Sequence, residues 1–268
     1  MKAMIFAAGL GTRLKPITDT MPKALVPVCE KPLLEHVARK LWKAGIDNAV
    51  VNVHYFADKI VEWVDEQEWI TTNPAEHTAE NVLFEISDER GLLLETGGAV
   101  LYARRHLEGC GSFLIHNVDI LSDCDICWFK EQVRDDALAT LLVSKRKTTR
   151  FLLFAPDTFR LVGWMNTDTG DSCVVSPEIN PQECLALAFA GIHILSDKVL
   201  ALMDEYVDEK ALPRDPDKGT RFPIMSFYMW AAAKYPIYGA VSDNLEFIDV
   251  GKLDAIKPAE EFIMRGSL

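Results

Sequence analysis

The residues that announce chemistry stand near the start of the chain, in Gly9-Leu10-Gly11-Thr12-Arg13-Leu14. They follow an apolar run, Met4-Ile5-Phe6-Ala7-Ala8, where a phosphate loop is expected to sit. Glycines let a backbone approach an anion and aim its N–H groups inward. Arg13 adds a guanidinium that forks onto phosphate oxygens as lysine cannot. Two common phosphate patterns do not fit: Leu14 replaces the third glycine of the dinucleotide fingerprint, and the Gly-Lys-Ser/Thr ending of a P-loop is missing. Further on, Pro22-Lys23-Ala24-Leu25-Val26-Pro27-Val28 brings a second cation towards the same strand end. A tight turn and a surface lysine would explain either piece alone. Together they favour a phosphate site.

The elements that must position these residues follow from periodicity. Lys2 to Ala8 reads as a buried strand. Pro32 opens an amphipathic helix to about Ala44, with Leu33, Leu34, Val37 and Leu41 on one face, and Gly45 ends it. Asn48 to Val53 reads as a strand, Ala57 to Glu66 as a helix and Val82 to Ile86 as a strand. A glycine turn, a helix around Ala99 to Leu107 and a strand at Phe113 to Ile115 follow, the last ending in His116-Asn117-Val118-Asp119. This alternation predicts an α/β fold whose mostly parallel sheet is covered on both faces and binds ligands at the carboxyl ends of its strands. The second half is less regular. Ala137 to Val143, Phe151 to Phe154, Leu185 to Leu195 and Tyr235 to Ala240 are candidate strands, and Ser196 is expected to cap a helix to about Val207. Ala211 to Thr220, rich in charge and proline, reads as an exposed loop, either a solvated connection or a flap over a substrate.

Bulk properties narrow the function. The 268 residues are 49% hydrophobic and carry a net charge of −12. Such acidity argues against nucleic-acid backbones and anionic membranes as partners, though not against nucleotides, which need only local positive charge and backbone N–H groups. No apolar run approaches the roughly 20 residues of a membrane span. The six cysteines are scattered, as expected of reduced thiols in a cytoplasmic protein. Cys124-Asp125-Ile126-Cys127 has the spacing of a zinc knuckle but no second pair. His54, His116 and His193 read as core or edge residues, Trp63 and Trp69 as packing, and Asp88-Glu89-Arg90 as a solvated turn.

The segments Ala7-Ala8-Gly9-Leu10-Gly11-Thr12-Arg13-Leu14-Lys15-Pro16-Ile17-Thr18 and Met21-Pro22-Lys23-Ala24-Leu25-Val26-Pro27-Val28 jointly resemble the signature of the sugar-phosphate nucleotidyltransferases. The resemblance implies a single-domain, Rossmann-like three-layer α/β/α sandwich over residues 1–263, with 264–268 as a tail. It implies that Ala8, Gly9, Gly11, Thr12 and Arg13 hold a triphosphate and that Lys23 contacts phosphate at the reacting centre. Glu95-Thr96-Gly97-Gly98-Ala99 resembles the family's nucleobase loop, so Thr96, Gly97 and Gly98 would face the base. Phe189-Ala190-Gly191-Ile192-His193-Ile194 resembles the strand lining the sugar pocket, giving Gly191 and Asn117 to the sugar phosphate. Asp119 and Asp249, the latter in Phe247-Ile248-Asp249-Val250-Gly251, match the pair that holds Mg²⁺; hard oxygen ligands suit that ion. Val118 departs from the pattern, standing where the family commonly has glycine.

The implied reaction joins a nucleoside triphosphate, UTP or GTP, to a sugar 1-phosphate and releases pyrophosphate, with Arg13, Lys23 and Asp119 as catalytic residues. The compact form leaves no room for a large C-terminal β-helix and looks most like the N-acetylmuramate 1-phosphate uridylyltransferases. Mannose 1-phosphate guanylyltransferases are the main alternative; heptose- and choline-phosphate enzymes also fit. A catalytically weakened nucleotide-binding regulatory subunit is the reading from another class, with Val118 as its support. A monomer or small homo-oligomer is expected.

Overall fold

Successive residues of a strand point to opposite faces of its sheet, and in β1 (Lys2–Phe6) both faces are apolar. Ala3 and Ile5 enter one core and Met4 the other. A strand buried on both sides belongs at the centre of a layered sheet, and that is where β1 lies in the computed structural model, which describes residues Met1–Leu268. A short ribbon follows, β2 (Pro27–Val28) and β3 (Lys31–Pro32), and then α1 (Leu33–Lys43). The first half continues as β4 (Asn48–Val53), α2 (Ala57–Asp65), β5 (Ile70–Thr71), β6 (Val82–Asp88), α3 (Glu95–Tyr102), α4 (Arg104–Leu107) and β7 (Ser112–Asn117). The chain then passes through β8 (Ile120–Ser122), α5 (Ile126–Glu131), β9 (Ala139–Ser144), β10 (Arg150–Phe154), β11 (Leu161–Asn166) and β12 (Ser172–Val174). It closes with β13 (Leu185–Ser196), α6 (Val199–Glu209), α7 (Ile224–Ala232), β14 (Ile237–Val241), β15 (Phe247–Asp249) and α8 (Ile256–Met264).

Eleven strands form one sheet in the order β12-β11-β10-β13-β7-β1-β4-β6-β5, with β9 beside β13 and β14 beside β9. The run from β7 to β5 is parallel throughout. The antiparallel pairs lie in the second half, around β13 and β10. One core packs α1, α2 and α8 on one face, with Leu34, Ile60 and Phe262; the other packs α3, α6 and α7, with Val100, Met203 and Phe227. The result is the expected three-layer α/β sandwich.

The departures have physical causes. β1 stops at Phe6 because the Ala7 N–H turns away to the Asn52 side chain, 2.8 Å from Oδ1. Ser196 closes β13, and α6 begins only at Val199 without a side-chain cap. Among the elements that the sequence did not mark, three show a clear cause. α7 is largely apolar and packs deeply, leaving little polar face to mark it. In α8, Pro258 sits in the first turn, where it is tolerated but reads as a breaker. In β11, Gly163 fits because the neighbouring strand approaches closely: a Cβ there would lie 2.5 Å from the Cys173 carbonyl oxygen. No helix is long and apolar enough to cross a membrane.

Candidate active site

The carboxyl ends of β1, β4, β6 and β7 lie side by side and open on a cleft of about 210 Å³ lined by Ala8, Gly9, Lys23, Asn52, Glu89, Thr96, Asn117 and Asp119 among others. Strand ends in a parallel sheet gather unpaired backbone groups and short loops, which is why ligands settle there. The glycine loop leaves β1 and turns at Gly11, whose φ of +63° is the left-handed conformation glycine tolerates. Buried Thr18 holds the turn: its hydroxyl donates to the Gly11 carbonyl at 2.8 Å, and its methyl would sit 2.8 Å from any Cβ at Gly11. Thr12 and Arg13 are exposed on the following turn.

Lys23 begins a turn, with Pro22 extended before it. Its ammonium pairs with Asp119 Oδ2, and both side chains are mostly shielded from solvent, 11% and 17% exposed. Asp119 follows β7, and its carbonyl accepts the Val250 N–H at 2.8 Å. That bond continues the small ribbon in which β15 pairs antiparallel with β8, matching Asp249 to Ile120. The ribbon carries the late part of the sequence back over the end of β7. Asp249 thereby faces Asp119. Burial, and next the Asp119 charge, push the Asp249 carboxyl above the usual carboxylate range, against the pull of Lys23 and Arg13. Gly251 leaves space for this meeting: a Cβ there would lie 2.6 Å from Asp249 Oδ1 and 2.7 Å from Arg13 Nη2. Two facing carboxylates, that of Asp249 raised by burial and by the Asp119 charge, beside the cations Lys23 and Arg13 fit a hard divalent ion.

Asn117 and Gly191 come together on the neighbouring strands. β13 breaks register against β9 between Phe189 and His193, and Gly191 takes a φ of +76° there. A Cβ at Gly191 would lie 2.9 Å from Asn117 Nδ2. Val118 adopts an ordinary negative φ and buries its side chain in the core, so the backbone at this point does not require glycine.

Thr96, Gly97 and Gly98 form the first turn of α3 rather than a loop preceding it. Thr96 borders the cleft, and its hydroxyl accepts the Ile224 N–H at 2.9 Å. The N–H groups of Gly97 and Gly98 both donate to the Phe222 carbonyl, at 2.9 and 3.0 Å. Their missing side chains admit the 220–222 backbone: a Cβ on Gly98 would lie 2.0 Å from the Thr220 carbonyl oxygen. The segment before it, 211–220, forms no helix or strand, and its last residue is buried against α3.

Sequence reasoning missed two residues of the cleft, Asn52 and Glu89. Glu89 is not part of a solvated turn. It is 3% exposed, its backbone N–H donates to the Val53 carbonyl, and its carboxyl accepts from Asn52 Nδ2 at 2.9 Å. The available signal was position alone: both residues stand at the carboxyl ends of adjacent parallel strands. Arg146 was also missed. Its guanidinium stacks 4.6 Å from the Phe247 ring centroid and feels the Asp249 charge. With Arg150, Phe151, Trp164, Phe189 and Met225 it lines a second, larger cleft of about 850 Å³. His116 and His193 are wholly buried, and burial drives their imidazoles down to about 4 and about 3, so they stay neutral. Of the Cys124–Cys127 pair, Cys124 enters the core, Cys127 is exposed, and Asp125 between them caps α5.

Comparison with known proteins identifies the family. The family model described as "Nucleotidyl transferase" matches residues 2–152. An N-acetylmuramate α-1-phosphate uridylyltransferase from Caulobacter vibrioides is 34% identical over 204 residues, covering 74% of this chain and 76% of that protein. The mannose-1-phosphate guanylyltransferase catalytic subunit beta of Xenopus tropicalis is 35% identical over 135 residues, half of this chain but 34% of that longer protein. A UDP-glucose pyrophosphorylase structure superposes over the full length of both chains with a TM-score of 0.72 at 16% identity, which is a likeness of fold. With a glycine loop, a paired lysine and facing aspartates at the end of such a sheet, the chain belongs to the nucleotidyl transferase family and is a sugar-1-phosphate nucleotidyltransferase.

Proposed function

We propose that the chain is an Mg²⁺-dependent N-acetylmuramate 1-phosphate uridylyltransferase. The observation that carries the reading is the shielded Lys23–Asp119 pair facing Asp249, with Arg13 beside Asp249. A nucleotidyl transfer needs two polyanions brought together and charge neutralised on the transferring α-phosphoryl group and the leaving pyrophosphate. Arg13 binds triphosphate oxygens, with the N–H groups of Gly9, Gly11 and Thr12 around it. Lys23, already held at the reacting centre by Asp119, offers a fixed charge that does not have to reorganise. Asp119 and Asp249 would hold Mg²⁺, which supplies Lewis-acid polarisation of phosphoryl oxygens when bound. The nucleophile is a phosphate oxygen of the sugar 1-phosphate, anionic at neutral pH, so no general base is required. Asn117 and Gly191 orient that phosphate, and positioning supplies much of the rest of the acceleration.

N-acetylmuramate fits better than mannose for a chemical reason. It carries a lactyl carboxylate and an acetamido group, and the larger cleft offers Arg146 and Arg150 beside an apolar wall. The Caulobacter enzyme also shares far more of its length with this chain than the guanylyltransferase does. The test is a substrate panel. Pyrophosphate release is measured with UTP, GTP, CTP and ATP against N-acetylmuramate 1-phosphate, mannose 1-phosphate and glucose 1-phosphate, with and without Mg²⁺. The expected result is Mg²⁺-dependent formation of UDP-N-acetylmuramate at the highest kcat/KM. A preference for GTP with mannose 1-phosphate would reassign the substrates, and nucleotide binding without turnover on any pair would favour a regulatory subunit.

A further inference from the structure

Asp119 and Asp249 come from distant parts of the chain and are brought together by the small ribbon of β8 and β15. That ribbon is separate from the eleven-stranded sheet. Two strands alone are marginally stable, so the ribbon's place depends on what grips it from outside. Its ladder shows where a grip can act. The Val250 N–H donates to the Asp119 carbonyl at 2.8 Å, and the Asp123 N–H to the Glu246 carbonyl at 3.0 Å. Residues of an antiparallel strand turn their backbone groups alternately towards and away from the partner strand. With 119 and 123 bonding inward, the backbone groups of Ser122 point away from β15. Ser122 is wholly buried, so water does not satisfy its carbonyl. The carbonyl instead accepts from the Lys40 ammonium at 2.8 Å.

Lys40 comes from α1, whose Leu34, Val37 and Leu41 are packed into the core. The helix is thereby fixed to the sheet, and the lysine carries its charge inward to the ribbon. Burial holds its ammonium below the usual lysine range, the mark of a charge drawn partly out of water. We propose that Lys40 is a positioning residue for the metal centre: its hold on the Ser122 carbonyl fixes the β8–β15 ribbon, and with it the spacing of the Asp119 and Asp249 carboxylates. The inference rests on the reading of those two aspartates as Mg²⁺ ligands. Mg²⁺ demands near-ideal octahedral geometry, so a small shift of one carboxylate against the other weakens its binding. Lys40 acts through the backbone, not on the reacting groups.

The test compares Lys40→Met, which keeps most of the stem and deletes the donor, with Lys40→Arg, which keeps a charged donor. Mn²⁺ binding to the protein alone is read from the loss of the free-ion electron paramagnetic resonance signal, with a thermal melt of each sample. Lys40→Met should weaken Mn²⁺ binding roughly 10-fold, the lower end of what losing a ligand-orienting group costs. The Mg²⁺ concentration for half-maximal pyrophosphate release should rise by the same factor, and Lys40→Arg should restore most of both. A residue that only supports the fold would lower the melting temperature and leave the metal affinity of the folded protein unchanged; that result overturns the proposal, as does an equal loss of affinity in Lys40→Arg. Should Lys40→Met not fold, Lys40→Gln, with a shorter neutral donor, takes its place with the same outcomes. Asp249→Asn separates this proposal from the reading beneath it. Loss of Mn²⁺ there with unchanged affinity in Lys40→Met rejects the role of Lys40 alone. Wild-type affinity in Asp249→Asn, or a wild-type protein that neither binds Mn²⁺ nor needs a divalent ion for turnover, rejects the metal assignment and the proposal together.

Discussion

Gly98→Ala separates a packing role from a ligand role at the start of α3. The added Cβ would lie 2.0 Å from the Thr220 carbonyl oxygen, far inside van der Waals contact, and the obstacle is backbone rather than a flexible side-chain tip. Either α3 or the 220–222 segment must move. Overpacking of a filled site costs about 1–3 kcal/mol. The movement also strains the two bonds from the Gly97 and Gly98 N–H groups to the Phe222 carbonyl, each worth about 1 kcal/mol. A loss of about 3–4 kcal/mol follows, a large share of the roughly 5–15 kcal/mol that holds a domain folded. In a chain of this size it should lower the melting temperature by about 10 °C. Urea denaturation and a thermal melt measure the loss directly, and Gly109→Ala serves as control. Gly109 has a positive φ, +78°, and no atom lies within 4 Å of a Cβ there, so only the conformational cost of about 1 kcal/mol remains. If Gly98→Ala melts within a degree or two of wild type and instead raises the KM for the nucleotide, the glycine faces the ligand and the packing argument is wrong.

Two further outcomes follow from the same geometry. Arg146→Ala should raise the KM for N-acetylmuramate 1-phosphate by roughly 10- to 100-fold, the cost of losing a charge-assisted contact, while changing the KM for UTP little; steady-state kinetics with each substrate varied would show it, and equal effects on both would count against a sugar-side role. Acid should destabilise the fold between pH 6.5 and 4. His116 and His193 have folded pKa values near 4 and 3, below their ordinary 6.5, so across that window the unfolded chain binds more protons and stability falls as pH falls. Glu89 works the other way. Its folded value near 7 lies above its ordinary 4.5, so it favours the folded state increasingly as pH drops from 7 to 4.5, and Glu89→Gln should steepen the acid loss. Urea midpoints at pH 7 and pH 5 for wild type and Glu89→Gln test both signs; a wild-type midpoint that rises on acidification would contradict the histidine term.

The parallel half of the fold was legible because its strands are buried on both sides and its first two helices are amphipathic, patterns that local sequence carries. Asn48–Val53 was readable to the residue. The phosphate end was legible for a different reason: Gly11, Arg13 and Lys23 belong to short segments whose residue types are unusual together. Glu89 was not legible. A charged residue flanked by Asp88 and Arg90 looks solvated, and only the third dimension shows Asn52 and the end of β4 covering it. Nor was the packing of Gly97 and Gly98, since the segment that fills the space over them lies in a distant, irregular part of the chain. α7 and α8 were hidden because one lacks a polar face and the other carries a proline in its first turn. Val118 departed from the resemblance, yet its negative φ and buried side chain leave the carboxylate beside it in place.

Asp119→Asn tests the central claim most directly. The substitution keeps the size and planarity of the side chain but removes the charge that pairs with Lys23 and faces Asp249. The measurement is kcat for pyrophosphate release at saturating Mg²⁺, UTP and N-acetylmuramate 1-phosphate, with a thermal melt of the same sample. A fall of about 10³-fold or more, in a protein that melts close to wild type, is the predicted result. Turnover near the wild-type rate would contradict the assignment of Asp119, and with it the reacting centre described here.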